Sequence, residues 1–173
     1  MSCAETLALL CASTGNYRFS PGVKSNDQLM RLEIAGLLSG LSDCEVNYAL
    51  AKYCQDQKAF VRLVECVFDK YRTGCDGRDH EKVGYQVCLV SCYEMTSDSR
   101  CKRCYGTGLY ANGVCRSCDG GGYLRQSGRG LAGLVGVTEW QWRRHWRAVY
   151  ESLIRYLQDI DNAVDYHVYS RSL

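Results

Sequence analysis

The sequence contains a single proline, Pro21, no low-complexity run, and no apolar stretch approaching the about 18 residues that a membrane-spanning helix requires. A chain so poor in helix breakers is expected to be mostly folded and mostly helical, and no membrane partner is expected. No export signal is evident either: Met1 to Ala12 is apolar, but it lacks a basic leading region and carries Glu5 and two cysteines. Histidine is scarce too, at 3. His80, His145 and His167 form no HExxH or HxE motif and suggest no nucleophile–base pairing, so no enzyme is expected. The chain does have enough apolar residues, 46%, to bury a real core, and its 173 residues suit one domain, or one with a small appendage.

Cysteine is abundant, at 12. Four of these residues occur in paired CxxC spacing. The other eight, Cys3, Cys11, Cys44, Cys54, Cys66, Cys75, Cys88 and Cys92, lie mostly in apolar helical patterns where a reduced thiol acts as a small hydrophobe. That usage predicts a reduced, cytoplasmic protein. The net charge of +2 conceals an asymmetry. Residues 100–158 contain ten Lys/Arg against three acids (Asp119, Glu139 and Glu151), whereas the rest of the chain has eleven against sixteen. A basic region in an otherwise acidic chain predicts a localised face for a polyanion.

Periodicity places the helices. Residues 1–24 form a weak opening segment broken by Gly15, Pro21 and Gly22. Ser25 and Asn26 offer an N-cap before the apolar run Leu29 to Leu38, which Gly40 ends. Ser42-Asp-Cys-Glu45 has the form of a capping box and predicts a helix to about Tyr53. Phe60, Leu63, Val64, Val67, Phe68 and Tyr71 mark one face of a third helix, closed by Gly74 and Gly77. A fourth spans about Asp79 to Met95, with Val83, Val87 and Val90 inward and Tyr85 and Cys88 as further candidates. Thr138-Glu-Trp-Gln141 predicts the start of a last helix running to about Leu157, followed by a less patterned tail.

Between the fourth and last helices the chain reads Cys101-Lys-Arg-Cys104-Tyr-Gly106-Thr-Gly108, then Cys115-Arg-Ser-Cys118-Asp-Gly120-Gly-Gly122, two CxxCxGxG units whose cysteine pairs are separated by ten residues. Two such knuckles supply four thiolates in the tetrahedral arrangement that structural zinc prefers, and glycine tolerates the tight turn after each. One zinc ion held by Cys101, Cys104, Cys115 and Cys118 is the expectation. A redox CxxC has no need of two matched pairs with glycines, and four thiolates leave no coordination position for the water of a catalytic site. The spacing also resembles the cysteine-rich region of DnaJ-type chaperones. That region has four repeats where this chain has two, and no His-Pro-Asp tripeptide occurs here.

After the zinc loop, Trp142, Trp146, Val149, Leu153 and Leu157 form an apolar stripe at helical period, opposite Trp140, Arg144, Arg147, Glu151 and Arg155. Core packing with a solvated basic face is the plain interpretation. The preceding Gly130-Leu-Ala-Gly-Leu-Val-Gly136-Val-Thr138 adds a short apolar helix and a glycine turn, giving a helix-turn-helix pattern whose second helix enters the major groove of DNA. Candidate DNA contacts are Lys102, Arg103 and Arg116 in the loop, Arg125 and Arg129 beyond it, and Gln141, Arg143, Arg144 and Arg147 at the start of the second helix. The fold class expected is mostly α: a helical bundle with an inserted four-cysteine zinc-binding loop and a helix-turn-helix-like DNA-binding unit. The helix at 79–95 is an alternative first helix of that unit, with the zinc loop as an expanded turn. The zinc site would then set the angle at which Arg143, Arg144 and Arg147 meet DNA.

The ordered motifs resemble the lambda-type late-gene antitermination Q proteins of lambdoid phages. The zinc loop through Gly122-Tyr123 carries the likeness first, then Trp142-x-Arg144-x-x-Arg147-x-x-Tyr150, and upstream Asp69-Lys-Tyr71-Arg72-x-Gly74; it covers roughly residues 27–160. The inter-knuckle loop is shorter than in the lambda relative, and Glu139-Trp140 stands where that relative has proline. The resemblance implies a factor of the bacterial host cytoplasm that binds double-stranded DNA within a late promoter. It would engage paused host RNA polymerase at the flap region and sigma factor and make it read through terminators. In that organisation 1–24 is an N-terminal segment, 25–97 a helical region for polymerase contacts, 98–158 the zinc loop with the DNA-binding unit, and 159–173 a tail. The alternative, from a different class, is a zinc-stabilised nucleic-acid- or protein-binding adaptor without antitermination activity.

Overall fold

The computed structural model of the protein describes residues 33–72, 78–97 and 126–171. In the cysteine-rich segment it describes residues 101, 103, 104, 107, 109–111, 113–118 and 120. The expected N-cap at Ser25–Asn26, the closing glycines Gly74 and Gly77, and the candidate contacts Lys102 and Arg125 lie outside these residues. The described chain is mostly helical. Its elements are α1 (Asp43–Tyr53), α2 (Gln57–Arg72), α3 (Arg78–Thr96), β1 (Leu109–Tyr110), β2 (Gly113–Val114), α4 (Gly128–Val135), α5 (Glu139–Gln141), a π turn (Trp142–Trp146) and α6 (Arg147–Arg171). No helix among the described residues is long and apolar enough to cross a membrane.

Local chemistry sets the helix starts. Residues 33–37 are helical, and the chain turns at Gly40, whose φ of +95° suits a residue without Cβ. Ser42 then caps α1 in the expected capping box: its backbone N–H donates to Glu45 Oε2 at 2.7 Å. The start of α2 was not signalled by such a box. Asp56 Oδ1 supplies it by accepting from the amides of Lys58 (2.8 Å) and Ala59 (3.1 Å).

The described residues form two compact units, one from residues up to Asp69 together with those from Arg155 onward, the other from Lys70–Ile154. In the first, Leu38, Tyr48, Ala49, Leu63, Val64 and Val67 are buried, as are Leu157, Ile160, Val164 and Val168 of α6. Polar contacts tie α1 and the residues before it to α6. Lys52 Nζ lies 2.6 and 2.7 Å from the two Asp161 carboxylate oxygens, Tyr53 donates to Asp161, and Arg171 donates to the carbonyl of Gly36. The cysteines here depart in part from the expectation of reduced thiols. Cys44 and Cys66 are not disulfide-bonded, but Cys54, at the C-cap of α1 rather than on an apolar face, is.

In the second unit α3 packs on α4. Val87, Cys88, Ser91 and Cys92 are buried on α3, and Leu131, Ala132 and Val135 on α4. Tyr150 donates to Glu94, linking the start of α6 to the end of α3. Because α3 meets α4 directly, the cysteine-rich segment is an excursion between two helices that already touch.

The last helix differs from expectation in two ways. It does not fade near Leu157 but runs to Arg171, since Ile160, Val164 and Val168 continue the inward stripe. It also contains the π turn, in which the Arg147 N–H reaches back to the Trp142 carbonyl. Of the expected stripe, Trp142, Trp146, Leu153 and Leu157 are buried, while Val149 is half-buried and Tyr150, four residues after Trp146, is buried beside it.

Candidate metal centre and basic face

The four cysteines of the two knuckles converge. Their Sγ atoms all lie within 4.8 Å of one another, with Cys101 3.8 Å from Cys115 and Cys104 3.6 Å from Cys118. A tetrahedral centre with metal–sulfur bonds of about 2.3 Å requires sulfur–sulfur separations of about 3.8 Å, whereas a disulfide requires about 2.0 Å. None of the four is disulfide-bonded. Cys101, Cys104 and Cys115 are buried and Cys118 half-buried, and they form a small core consisting only of cysteine. The group therefore fits a metal ion.

Each knuckle is shaped by its own backbone. The Thr107 amide donates to the Cys104 carbonyl at 3.0 Å, and the Gly120 amide to the Cys115 carbonyl at 3.2 Å. Gly120 has φ +80°, and a Cβ there would sit 3.0 Å from Val114 Cγ1, so this position in the second CxxCxGxG unit requires glycine. Gly106, Gly108 and Gly122 lie outside the described residues. Between the knuckles, β1 and β2 form an antiparallel hairpin with Leu109 opposite Val114 and Tyr110 opposite Gly113. Ala111, at the first turn position, has φ +48°, the left-handed region that two-residue hairpin turns use.

The basic residues lie mostly on the surface of the second unit. Arg103, Arg116, Arg129, Arg143, Arg144 and Arg147 are exposed. Several have intramolecular partners that sequence reasoning missed. Glu139 receives Arg143 at 2.6 Å and Arg129 at 3.3 Å, bridging α4 to the helix that follows. Arg147 pairs with Glu151 at 2.8 Å. An i,i+4 pattern could have found the Arg143 and Arg147 pairs; the Arg129 pair crosses the turn and has no such signal. The Gln141 side chain closes the Thr138 capping box, its Oε1 accepting from the Thr138 amide at 2.9 Å, so that oxygen serves the fold. Arg144 stacks over Trp140, 63% exposed, with its guanidinium carbon 5.4 Å from the ring centroid, and His145 meets the same ring edge-on. Trp142 and Trp146 face inward, Trp142 tilted against Tyr150.

The turn before this face is well defined. Ser127 caps α4, Gly136 ends it with φ +77° and donates back to the carbonyls of Ala132 and Gly133, and Thr138 starts the next helix. No family model matches the chain, and no curated protein matches it.

Proposed function

We propose that Cys101, Cys104, Cys115 and Cys118 hold one zinc ion in a closed structural site, and that the chain is a DNA-binding factor of the late-gene antitermination type. Zinc would supply folding energy to the loop, and no reaction is assigned to it. We read the chain as non-enzymatic and as acting in the cytoplasm of a bacterial host.

The exposed start of the last helix carries most of the support. Arg143, Arg144 and Arg147 are all exposed while Trp142 and Trp146 are buried, and this segment follows a short helix with a glycine C-cap and a capping threonine. A helix-turn-helix unit formed by α4 and the following helix would direct that segment to the major groove. The resemblance of the ordered motifs extends the proposal to paused RNA polymerase, its flap region and its sigma factor. One observation favours the rival adaptor reading: Glu139 and Glu151 neutralise Arg143 and Arg147 within the protein. DNA phosphates must therefore compete with those carboxylates.

The decisive assay is in vitro transcription past a terminator from the chain's own late promoter, paired with footprinting. Read-through and a promoter footprint are expected, and Arg144→Ala with Arg147→Ala should lower duplex affinity and flatten its salt dependence by about 0.9 per lost phosphate contact. A footprint without read-through leaves an ordinary transcription regulator as the answer. Unchanged binding by both variants removes the helix from the interface.

A further inference from the structure

The hairpin between the knuckles has no role in that reading, yet it carries three large side chains turned to solvent. Leu109 is 65% exposed, Val114 64% and Tyr110 49%. Leu109 and Val114 are register partners, so they form one apolar face on the ribbon. Tyr110 is next along β1, and the Arg103 guanidinium carbon lies 4.7 Å above its ring centroid. The strands are only two residues long, too short to stand alone in water, so the knuckles at either end must hold the ribbon in shape.

Charge indicates what covers this face. From Cys101 to Ser127 the sequence has four basic residues and one acid, Asp119. Four thiolates with one zinc would carry a net charge of −2 and leave the segment only weakly positive, but they are buried or half-buried, whereas Arg103 and Arg116 are exposed beside the ribbon and present positive charge to a partner. A protein partner for an apolar patch would not need that surround; a nucleic acid, with carbon-rich sugars and thymine methyls between phosphates, matches both parts.

We propose that the hairpin is a second DNA-contacting element, in which Leu109 and Val114 rest on sugar and thymine methyl groups of the duplex while Arg103 and Arg116 hold flanking phosphates. This rests on the DNA-binding reading above, in which Arg103 and Arg116 were already candidate contacts, and adds to it the apolar face of Leu109 and Val114 as a contact separate from the last helix. The metal centre then serves to present the ribbon.

The test uses the full zinc-loaded chain and fluorescence anisotropy on the footprinted duplex between 50 and 200 mM salt, salt concentrations at which phosphate contacts are readily resolved. Leu109→Thr with Val114→Thr should keep one metal equivalent and lose about tenfold in affinity, equivalent to about 1.4 kcal/mol, with an unchanged salt slope. Arg103→Ala with Arg116→Ala should instead make the slope shallower by about 1.8, two contacts at about 0.9 each. If the apolar pair of substitutions displaces metal, Leu109→Thr alone and the arginine pair decide the matter by the same criteria. Wild-type affinity in both pairs overturns the hairpin contact while leaving the helix intact, provided Arg144→Ala and Arg147→Ala still weaken binding. A wild-type chain that binds no duplex overturns both readings. DNA affinity retained with polymerase binding lost shows the face to be a protein contact and overturns the proposal.

Discussion

Replacing Cys115 by Ser should unfold the cysteine-rich segment while leaving the helices of the same unit in place. The hydroxyl is a poor substitute for a thiolate, and Cys115 sits 3.8 Å from Cys101 within the group. Among the described residues of 101–120, only Cys101, Cys104 and Cys115 are buried. Their apolar burial supplies about 3 kcal/mol, taking about 0.8 kcal/mol or slightly more for each small side chain. Ordering even the four strand residues and the two turn residues of the hairpin costs roughly 6–12 kcal/mol. Burial of the described residues alone therefore does not offset that cost, whereas a bound structural zinc contributes about 10–16 kcal/mol. Val87, Cys88, Cys92, Leu131, Ala132 and Val135 form a separate core and need no metal. Native mass spectrometry should find one zinc in the wild type and none in Cys115→Ser. Hydrogen exchange should show the amides of Thr107 and Gly120 losing protection and those of Val87 to Cys92 keeping it. Protection of Thr107 and Gly120 that survives both the substitution and chelation would refute the reasoning.

Two further outcomes concern stability. Asp161→Asn should cost roughly 1–3 kcal/mol, read as a lower denaturation midpoint, because it leaves an ammonium without its counter-charge. The ion pair it breaks has both side chains 21% exposed, and Lys52 also lies over the rings of Tyr48 and Tyr53. Lys52→Met in the same chain should restore part of the loss, and full stability of Asp161→Asn alone would show that the pair contributes nothing. Gly84→Ala should also destabilise, by roughly 1–3 kcal/mol from overpacking, since a Cβ there runs into the Tyr71 ring, 3.1 Å from its Cζ. In a Tyr71→Ala background the same change should become neutral or stabilising; persistence of the loss would place its cause elsewhere.

How much of this was legible in the sequence depends on how local each feature is. The capping boxes at Ser42–Glu45 and Thr138–Gln141 are complete within four residues, and both formed as expected. The cysteine quartet was legible because ligand spacing is itself a geometric statement. The identity of the metal stays a proposal based on that chemistry. The π turn was not legible, because one extra residue in a turn leaves no mark on the composition of the segment. Lys52–Asp161 joins residues 109 apart, and no periodicity pairs residues at that distance. Arg129–Glu139 was hidden for the same reason on a smaller scale, its partners lying on either side of a turn.

The placement of α3 against α4 changes what the metal centre can be expected to do for DNA binding. On sequence alone, the zinc loop was expected to set the angle at which the basic helix meets the duplex. The orientation of the basic helix has other determinants within the same unit: α3 packs on α4, Gly136 and Thr138 define the turn, Glu139 ties Arg129 to Arg143, and Tyr150 reaches Glu94. None of these contacts involves a knuckle. Chelation should then separate the two contributions to binding. The metal-free chain should keep a weakened affinity whose remaining salt slope comes from Arg144, Arg147 and their neighbours, at about 0.9 per phosphate contact, and it should lose the increment that depends on Leu109 and Val114. Applied to the chelated protein, Leu109→Thr with Val114→Thr should have no further effect, while Arg144→Ala with Arg147→Ala should still weaken binding. Complete loss of duplex binding on chelation would return the angle-setting role to the metal, because the helix contacts named here would then be insufficient to hold the basic face in position.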